Sequence, residues 1–205
     1  MSRFFNLENP VWRFIGNLAD MFILSVFWYL CCIPIFTLGS GTAAMYYVTL
    51  KMTSNQEGYT ISSFLKAFRQ NFKPATLIWL IFLVCGLVLG ADFYWSINAG
   101  SLFATAMFIT FAVVALLYCL CLSFIFPLIA RCDNTVKATL SMCFVMSIRN
   151  FLPVLSTMLV SAGVFALGIF IFWPILVIAP GLSAYINSYV FNRILAKYNM
   201  NLPNE

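Results

Sequence analysis

The stretch from Met21 to Leu50 constrains this chain more than any other. It holds no charged side chain, yet Pro34, Gly39 and Gly41 interrupt it. Proline lacks a backbone donor and clashes with the preceding helical turn. Glycine permits the tight backbone of a reversal. In hydrocarbon an unpaired backbone group costs several kcal/mol, so such a break lies inside protein or at a membrane surface. The pattern predicts a helical hairpin with its tip over Pro34–Gly41 and arms at about 18–37 and 41–53. A re-entrant loop is the alternative.

Composition sets the class. Of 205 residues, 63% are hydrophobic and 8% are charged, against about 45–50% and about 25% in soluble domains. The chain therefore reads as an integral membrane protein. Its length leaves room for about five or six spans of ~20 residues. It leaves none for a separate soluble catalytic domain.

The 7 cysteines are an odd count, and Cys31, Cys32, Cys85, Cys119 and Cys121 lie in apolar runs. Cys119 and Cys121 would stand about 200° apart on a helix and cannot share one ion. The chain has no histidine. These thiols read as small buried hydrophobes. No metal, no cofactor and no disulfide scaffold is expected. A cleaved signal peptide is disfavoured, because the apolar core from Met21 to Leu38 exceeds the usual roughly 7–15 residues, and Glu8 and Asp20 intrude.

Asn9-Pro10 reads as a helix start, with Asn at the cap and Pro at the first helical position. Beyond the hairpin, Ile61, Phe64, Leu65 and Phe68 recur at helical spacing opposite Ser62, Ser63, Lys66 and Arg69. This predicts a short amphipathic helix lying on the membrane, with packing against the bundle as the alternative. Further spans are expected at about 74–95, 102–130, 150–172 and 174–192, with a second charged connector over 131–149. The expected fold is an all-α membrane protein, a single domain over residues 1–205. Its six hydrophobic segments are arranged as three hairpins with short amphipathic cytoplasmic connectors.

Orientation follows from the basic residues. They are Arg3 and Arg13 near the N-terminus; Lys51, Lys66, Arg69 and Lys73 in the first connector; Arg131, Lys137 and Arg149 in the second; and Arg193 and Lys197 at the end. These are all 11 in the chain. The turns near 38–41, 92–101 and 172–181 hold none. Six segments with both termini cytoplasmic satisfy the positive-inside rule. A five-span arrangement would leave Arg3 and Arg13 outside. A weak repeat supports the hairpins: Pro34, Gly41 and Ala44 recur at the spacing of Pro174, Gly181 and Ala184. Likewise Arg69, Asn71 and Pro74 resemble Arg149, Asn150 and Pro153. Asn71 and Asn150 are expected to be helix N-caps at one depth, with Arg69 and Arg149 reaching lipid phosphates.

Few residues could carry chemistry. No charge falls near a predicted midplane, since Asp20 and Asp92 sit at span ends, which argues against a pump or an ion-coupled carrier. Thr42, Tyr46, Tyr47, Ser183, Tyr185, Asn187 and Tyr189 could line a path for a neutral solute, together with the breaks at Pro180 and Gly181. Bonding to neighbouring helices is the simpler reading. Gly86 and Gly90 form a small-xxx-small face for close helix packing, with dimerisation as the alternative. No base, carboxylate pair or phosphate loop suggests an enzyme. No clustered basic face suggests nucleic acid.

The chain resembles the YesL-like family of small bacterial membrane proteins, whose biochemical function is uncharacterised. The resemblance rests on the proline-bearing first span, on Thr37-Leu38-Gly39-Ser40-Gly41-Thr42-Ala43-Ala44-Met45-Tyr46-Tyr47 with Lys51, and on Ser63-Phe64…Phe68-Arg69-Gln70-Asn71-Phe72-Lys73. It is motif-specific mainly over residues 33–80. The resemblance implies the cell membrane of a Gram-positive bacterium, the lipid bilayer as surroundings, and carbohydrate ABC transporter or sensor proteins as partners. It implies no catalytic residues. The expected role is accessory or regulatory, in carbohydrate uptake or sensing. The alternative is a small permease for a neutral solute.

Overall fold

The computed structural model describes residues 10–54, 59–98, 102–132 and 135–198, with side chains from 16 onward in the first stretch and from 107 onward in the third. The expected cap at Asn9, residues 55–58 of the first connector and residues 99–101 of the turn near 92–101 lie outside the described residues. The described residues form helices and no strand. In chain order these are α1 (Pro10–Cys32), a 3₁₀ turn (Ile35–Thr37), α2 (Leu38–Thr53), α3 (Thr60–Asn98), α4 (Leu102–Ile129), α5 (Val136–Arg149), α6 (Phe151–Phe170) and α7 (Pro174–Lys197).

The first reversal is tighter than the sequence suggests. It occupies Ile33-Pro34 and the 3₁₀ turn, and α2 starts at Leu38. Thr37 holds it, with Oγ1 2.5 Å from the carbonyl of Cys31 and 2.8 Å from that of Pro34. Gly39 and Gly41 are therefore helical, which corrects their assignment to the turn. They are needed for close approach. A Cβ at Gly39 would stand 2.5 Å from Trp79 Cβ and 2.7 Å from the Ala75 carbonyl oxygen. One at Gly41 would stand 2.7 Å from Cys31 Cβ.

α2 is the central helix, with 10 of its 16 residues buried. Its small residues Gly39, Ser40, Gly41, Ala43 and Ala44 let α1, α3, α4 and α7 close around it. Lipid tails are as apolar as leucine, so this proximity, and the dispersion contacts it permits, hold helices together where the hydrophobic effect does not. Leu24, Leu50, Phe64, Phe124 and Phe191 fill the core.

The amphipathic stretch and the following span, expected as separate elements, form one helix of 39 residues, α3, with Pro74 inside it. An interior proline costs about 3 kcal/mol or more. The helix continues because one face is buried on both sides of the proline: Phe64, Ala67 and Asn71 before it, Ala75, Ile78 and Phe82 after it. Phe64 and Ala67 of the amphipathic stretch are buried in the bundle, whereas Ile61 and Leu65 of the same stretch are exposed.

Three contacts fix where α1 lies along α3. Thr60 Oγ1 donates to Asp20 Oδ1 at 2.8 Å, the Phe27 and Phe64 rings lie 5.5 Å apart, and Trp79 Nε1 donates to the Ile35 carbonyl at 2.8 Å. The first hairpin thus accompanies only the first half of α3. Beyond Phe82, the residues from 83 to 98 contribute nothing to the central core. There α3 pairs with α4, as in the edge-on Phe93–Phe108 contact at 5.3 Å. α5 packs on α4, with the Cys143 thiol 3.3 Å from the Cys121 carbonyl. Among the described residues four helices are long and apolar enough to cross a bilayer: α3, α4 over Met107–Ile129, α6 and α7. The apolar stretch of α1, Gly16–Cys32, is shorter.

Candidate functional site

The polar residues of α7 repeat at helical spacing, with Ser183 and Asn187 in one row and Ser188 and Asn192 in the next. Side chains four apart share a helix face. The rows point at different neighbours. Ser188 Oγ lies 2.8 Å from Thr49 Oγ1 of α2 and 2.7 Å from its own Ala184 carbonyl. Asn192 Nδ2 reaches the Leu50 carbonyl at 3.1 Å, Thr53 Oγ1 at 2.6 Å and Ser54 Oγ at 3.1 Å. Asn192 Oδ1 accepts from the guanidinium of Arg131, just past the end of α4. One asparagine thereby joins the ends of α2, α4 and α7. Burial pulls the Arg131 guanidinium below its ordinary pKa by desolvation. An arginine in a protein still stays charged, so this is a half-buried cation held by an amide oxygen.

The row of Ser183 and Asn187 faces elsewhere. Asn187 Nδ2 donates to Ser161 Oγ of α6 at 2.8 Å, while Asn187 Oδ1 is buried with no hydrogen-bond partner among the described residues. Ser183 Oγ bonds the Pro180 carbonyl at 3.0 Å. Tyr185 and Tyr189 share a hydrogen bond at 2.9 Å, and Asn17 Nδ2 of α1 reaches the Tyr185 hydroxyl at 3.4 Å.

The proline break in α7 is closed by α1. Pro180 cannot donate to the Leu176 carbonyl four residues before it. The Tyr29 hydroxyl donates to that oxygen at 2.6 Å. Gly181 sits on α1 next to it, and its N–H donates to Ser25 Oγ at 2.9 Å. On α2, Thr42 accepts from Trp28 Nε1 at 2.9 Å and donates to the Leu38 carbonyl at 2.7 Å. Tyr46 packs edge-on to Phe191 at 5.6 Å, and Lys51 Nζ lies 5.1 Å from the Tyr47 ring centroid. Of the expected lining residues, Thr42, Tyr185 and Asn187 bond side chains of neighbouring helices, whereas Ser183 and Tyr189 bond within α7.

The capping expectations are corrected. Asn71 is buried in the middle of α3, and its Nδ2 donates backward to the Ala67 carbonyl at 3.1 Å. Because α3 runs through Pro74, no helix start exists there to cap. Asn150 does stand at the start of α6, but its side chain makes no cap hydrogen bond. Its Nδ2 donates to the Met146 carbonyl at 3.0 Å and to the Tyr198 hydroxyl at 3.2 Å. The parallel drawn between the two sites fails with them. Arg69 and Arg149 are exposed. Gly86 is a packing glycine, since a Cβ there would stand 2.7 Å from the Tyr118 hydroxyl, which itself bonds the Phe82 carbonyl at 3.0 Å. At Gly90 a Cβ would meet nothing within 4 Å, and the residue is exposed, so it is not part of that face.

Ser25, Tyr29, Thr49, Ser161, Ser188, Asn192 and Arg131 are the partners that sequence reasoning missed. The signal for two of them was present, since Ser188 and Asn192 continue the polar stripe of α7 at a spacing of four. Ser25, Tyr29, Thr49 and Ser161 are single polar residues in apolar runs, Arg131 opens the charged connector, and only the packing reveals their roles. Among the described residues no three His, Cys, Asp or Glu side chains cluster as a metal site. A cleft of about 550 Å³ between α3, α4 and α5 is lined by Cys85, Cys121, Cys143, Val88, Leu117 and Phe144. It is almost wholly apolar.

The described residues are all-helical and compatible with a membrane helical protein, with hydrogen bonds from α7 to α1, α2 and α6. A family described as "Protein of unknown function, DUF624" matches residues 21–93, the stretch that holds the first hairpin and most of α3. No curated protein and no solved structure matches the chain.

Proposed function

We propose that this chain is a multi-pass cell-membrane protein acting as an accessory or regulatory component of carbohydrate uptake or sensing. One observation carries the accessory reading: the polar side chains of α7 bond α1, α2 and α6. A carrier for a neutral solute needs such hydroxyls and amides free, so that they can replace the solute's hydration. Here they serve as interhelical ties.

Six membrane segments with both termini cytoplasmic remain the preferred arrangement. Supporting it, Asn192 gathers the ends of α2, α4 and α7, so that Lys51, Arg131 and Arg193 lie toward one end of the bundle. The carbohydrate association rests on the resemblance to the YesL-like family, whose motifs fall mainly within the matched segment. The partner class is a carbohydrate ABC transporter or sensor protein, met through the bilayer-facing helices.

Crosslinking in native membranes followed by mass spectrometry tests this reading. Uptake or sensing proteins should be captured, and the purified chain reconstituted alone in vesicles should not move labelled sugars or polyols. Uptake by the chain alone would sink the accessory role and favour a small permease for a neutral solute.

A further inference from the structure

The cleft between the start of α6 and the end of α7 joins two cations to an apolar wall. Its volume is about 510 Å³. From α7 it is lined by Tyr189, Arg193 and Lys197, which follow one another at intervals of four and so share a face. Val190 lines it beside them, and α6 contributes Pro153 and Ser156. The bond from Asn150 to Tyr198 marks the end of the hairpin where the cleft opens. Lys197 lies nearest that end, Arg193 is one turn deeper, and Tyr189 is deeper still.

Polarity changes along this axis. The open end carries two cations, and among the described residues no acidic side chain lines the cleft. The rest of the lining offers little to a polar ligand. Pro153 has no N–H, Ser156 Oγ is turned onto the Pro153 carbonyl at 2.6 Å, and the Tyr189 hydroxyl is engaged by Tyr185. A ligand suited to both parts is an anion joined to an apolar tail. Bare phosphate would leave the apolar wall unused, and a neutral lipid would leave two cations uncompensated. Both walls belong to helices of membrane-crossing length, so the ligand would come from the bilayer. Basic pockets between membrane helices favour anionic headgroups for the same electrostatic reason.

We infer that this cleft binds one anionic phospholipid, with its phosphate on Arg193 and Lys197 and an acyl chain leading deeper along Val190 and Tyr189. The inference does not depend on the proposed accessory role. The test uses the full chain, delipidated in detergent, with native mass spectrometry and thermal unfolding as readouts. Phosphatidylglycerol should bind at one molecule per chain and raise the melting temperature. Phosphatidylcholine and inorganic phosphate should do neither.

The double variant Arg193→Gln with Lys197→Gln should weaken phosphatidylglycerol binding about 30-fold, from about 1 kcal/mol per basic group at 1.4 kcal/mol per tenfold. The double variant Lys66→Gln with Arg69→Gln, on the distant start of α3, should bind like the parent. Tyr189→Ala should weaken binding with both cations kept, which separates lost contact from lost charge. Equal losses in both charge variants would mean diffuse surface attraction and overturn the site. Stabilisation by inorganic phosphate matching that by phosphatidylglycerol would also overturn it, in favour of a soluble phosphate ligand.

Discussion

Gly181 of α7 donates its backbone N–H to Ser25 Oγ of α1 at 2.9 Å. The helices cross so closely there that a Cβ on Gly181 would collide with the Met21 carbonyl and stand 2.7 Å from Ser25 Oγ. Neither obstacle is the free end of a long side chain, so neither can swing away. Gly181→Ala should therefore lower stability in detergent by roughly 1–3 kcal/mol, the usual cost of forcing a group into a packed site. Gly90→Ala and Gly163→Ala, where nothing stands within 4 Å, should be neutral or gain up to about 1 kcal/mol from helix propensity. Thermal melting of the three variants decides it. Equal melting would mean that the α1–α7 crossing is looser than described.

Asn192 offers a test of the seam. Asn192→Ala removes its bonds to Leu50, Thr53 and Ser54 and takes the amide acceptor from Arg131. A hydrogen bond contributes about 0.5–1.5 kcal/mol net, and more when one partner is charged, so a loss of about 1–3 kcal/mol is expected. Combined with Arg131→Met, the loss should fall short of the sum of the two single variants, because they share one interaction. Strict additivity in melting measurements would show that the two side chains are uncoupled.

The length of α3 makes a topological prediction. Its 39 residues extend about 58 Å at 1.5 Å per residue, against a hydrocarbon core of about 30 Å. Even a tilt of about 40°, the top of the usual range, leaves part of the helix outside. The charged first third, with Lys66, Arg69 and Lys73, is the part that leaves. With the native cysteines replaced, cysteines at Ser54 and Arg69 should react with an impermeant thiol reagent from one and the same side. A cysteine at Val88 should stay protected. Labelling of Arg69→Cys and Ser54→Cys from opposite sides would refute the prediction.

Composition and charge placement carry the helical class, because they report what each segment can be surrounded by. The finer errors share one cause. Gly39 and Gly41 have the residue types of a turn, but the same missing Cβ also serves close packing, and only the position of Trp79 and Cys31 separates the two uses. Asn71-Phe72-Lys73-Pro74 has the residue types of a helix start. It lies mid-helix because Ala75, Ile78 and Phe82 continue the buried face of Phe64, Ala67 and Asn71. The seam was half legible. Ser183 and Asn187 declare themselves by their spacing on α7. Ser25 and Tyr29, alone in the apolar α1, become meaningful only once α7 is laid against them.

Pro180 and Tyr29 form the most specific pair. The proline removes the N–H that would have bonded the Leu176 carbonyl, and the Tyr29 hydroxyl takes its place at 2.6 Å from across the helix interface. An unsatisfied carbonyl in an apolar surrounding is costly, so the tyrosine supports α7 at the point where its own ladder is broken. Tyr29→Phe keeps the ring and removes only the hydroxyl, and should destabilise by about 1–3 kcal/mol. Pro180→Ala restores the missing donor, so in that background the same tyrosine change should cost much less. A double-mutant cycle read by thermal melting gives the coupling directly, and the expected coupling energy is on the order of 1 kcal/mol. A tyrosine change that costs the same with proline or alanine at 180 would show that the hydroxyl does not stand in for the lost donor.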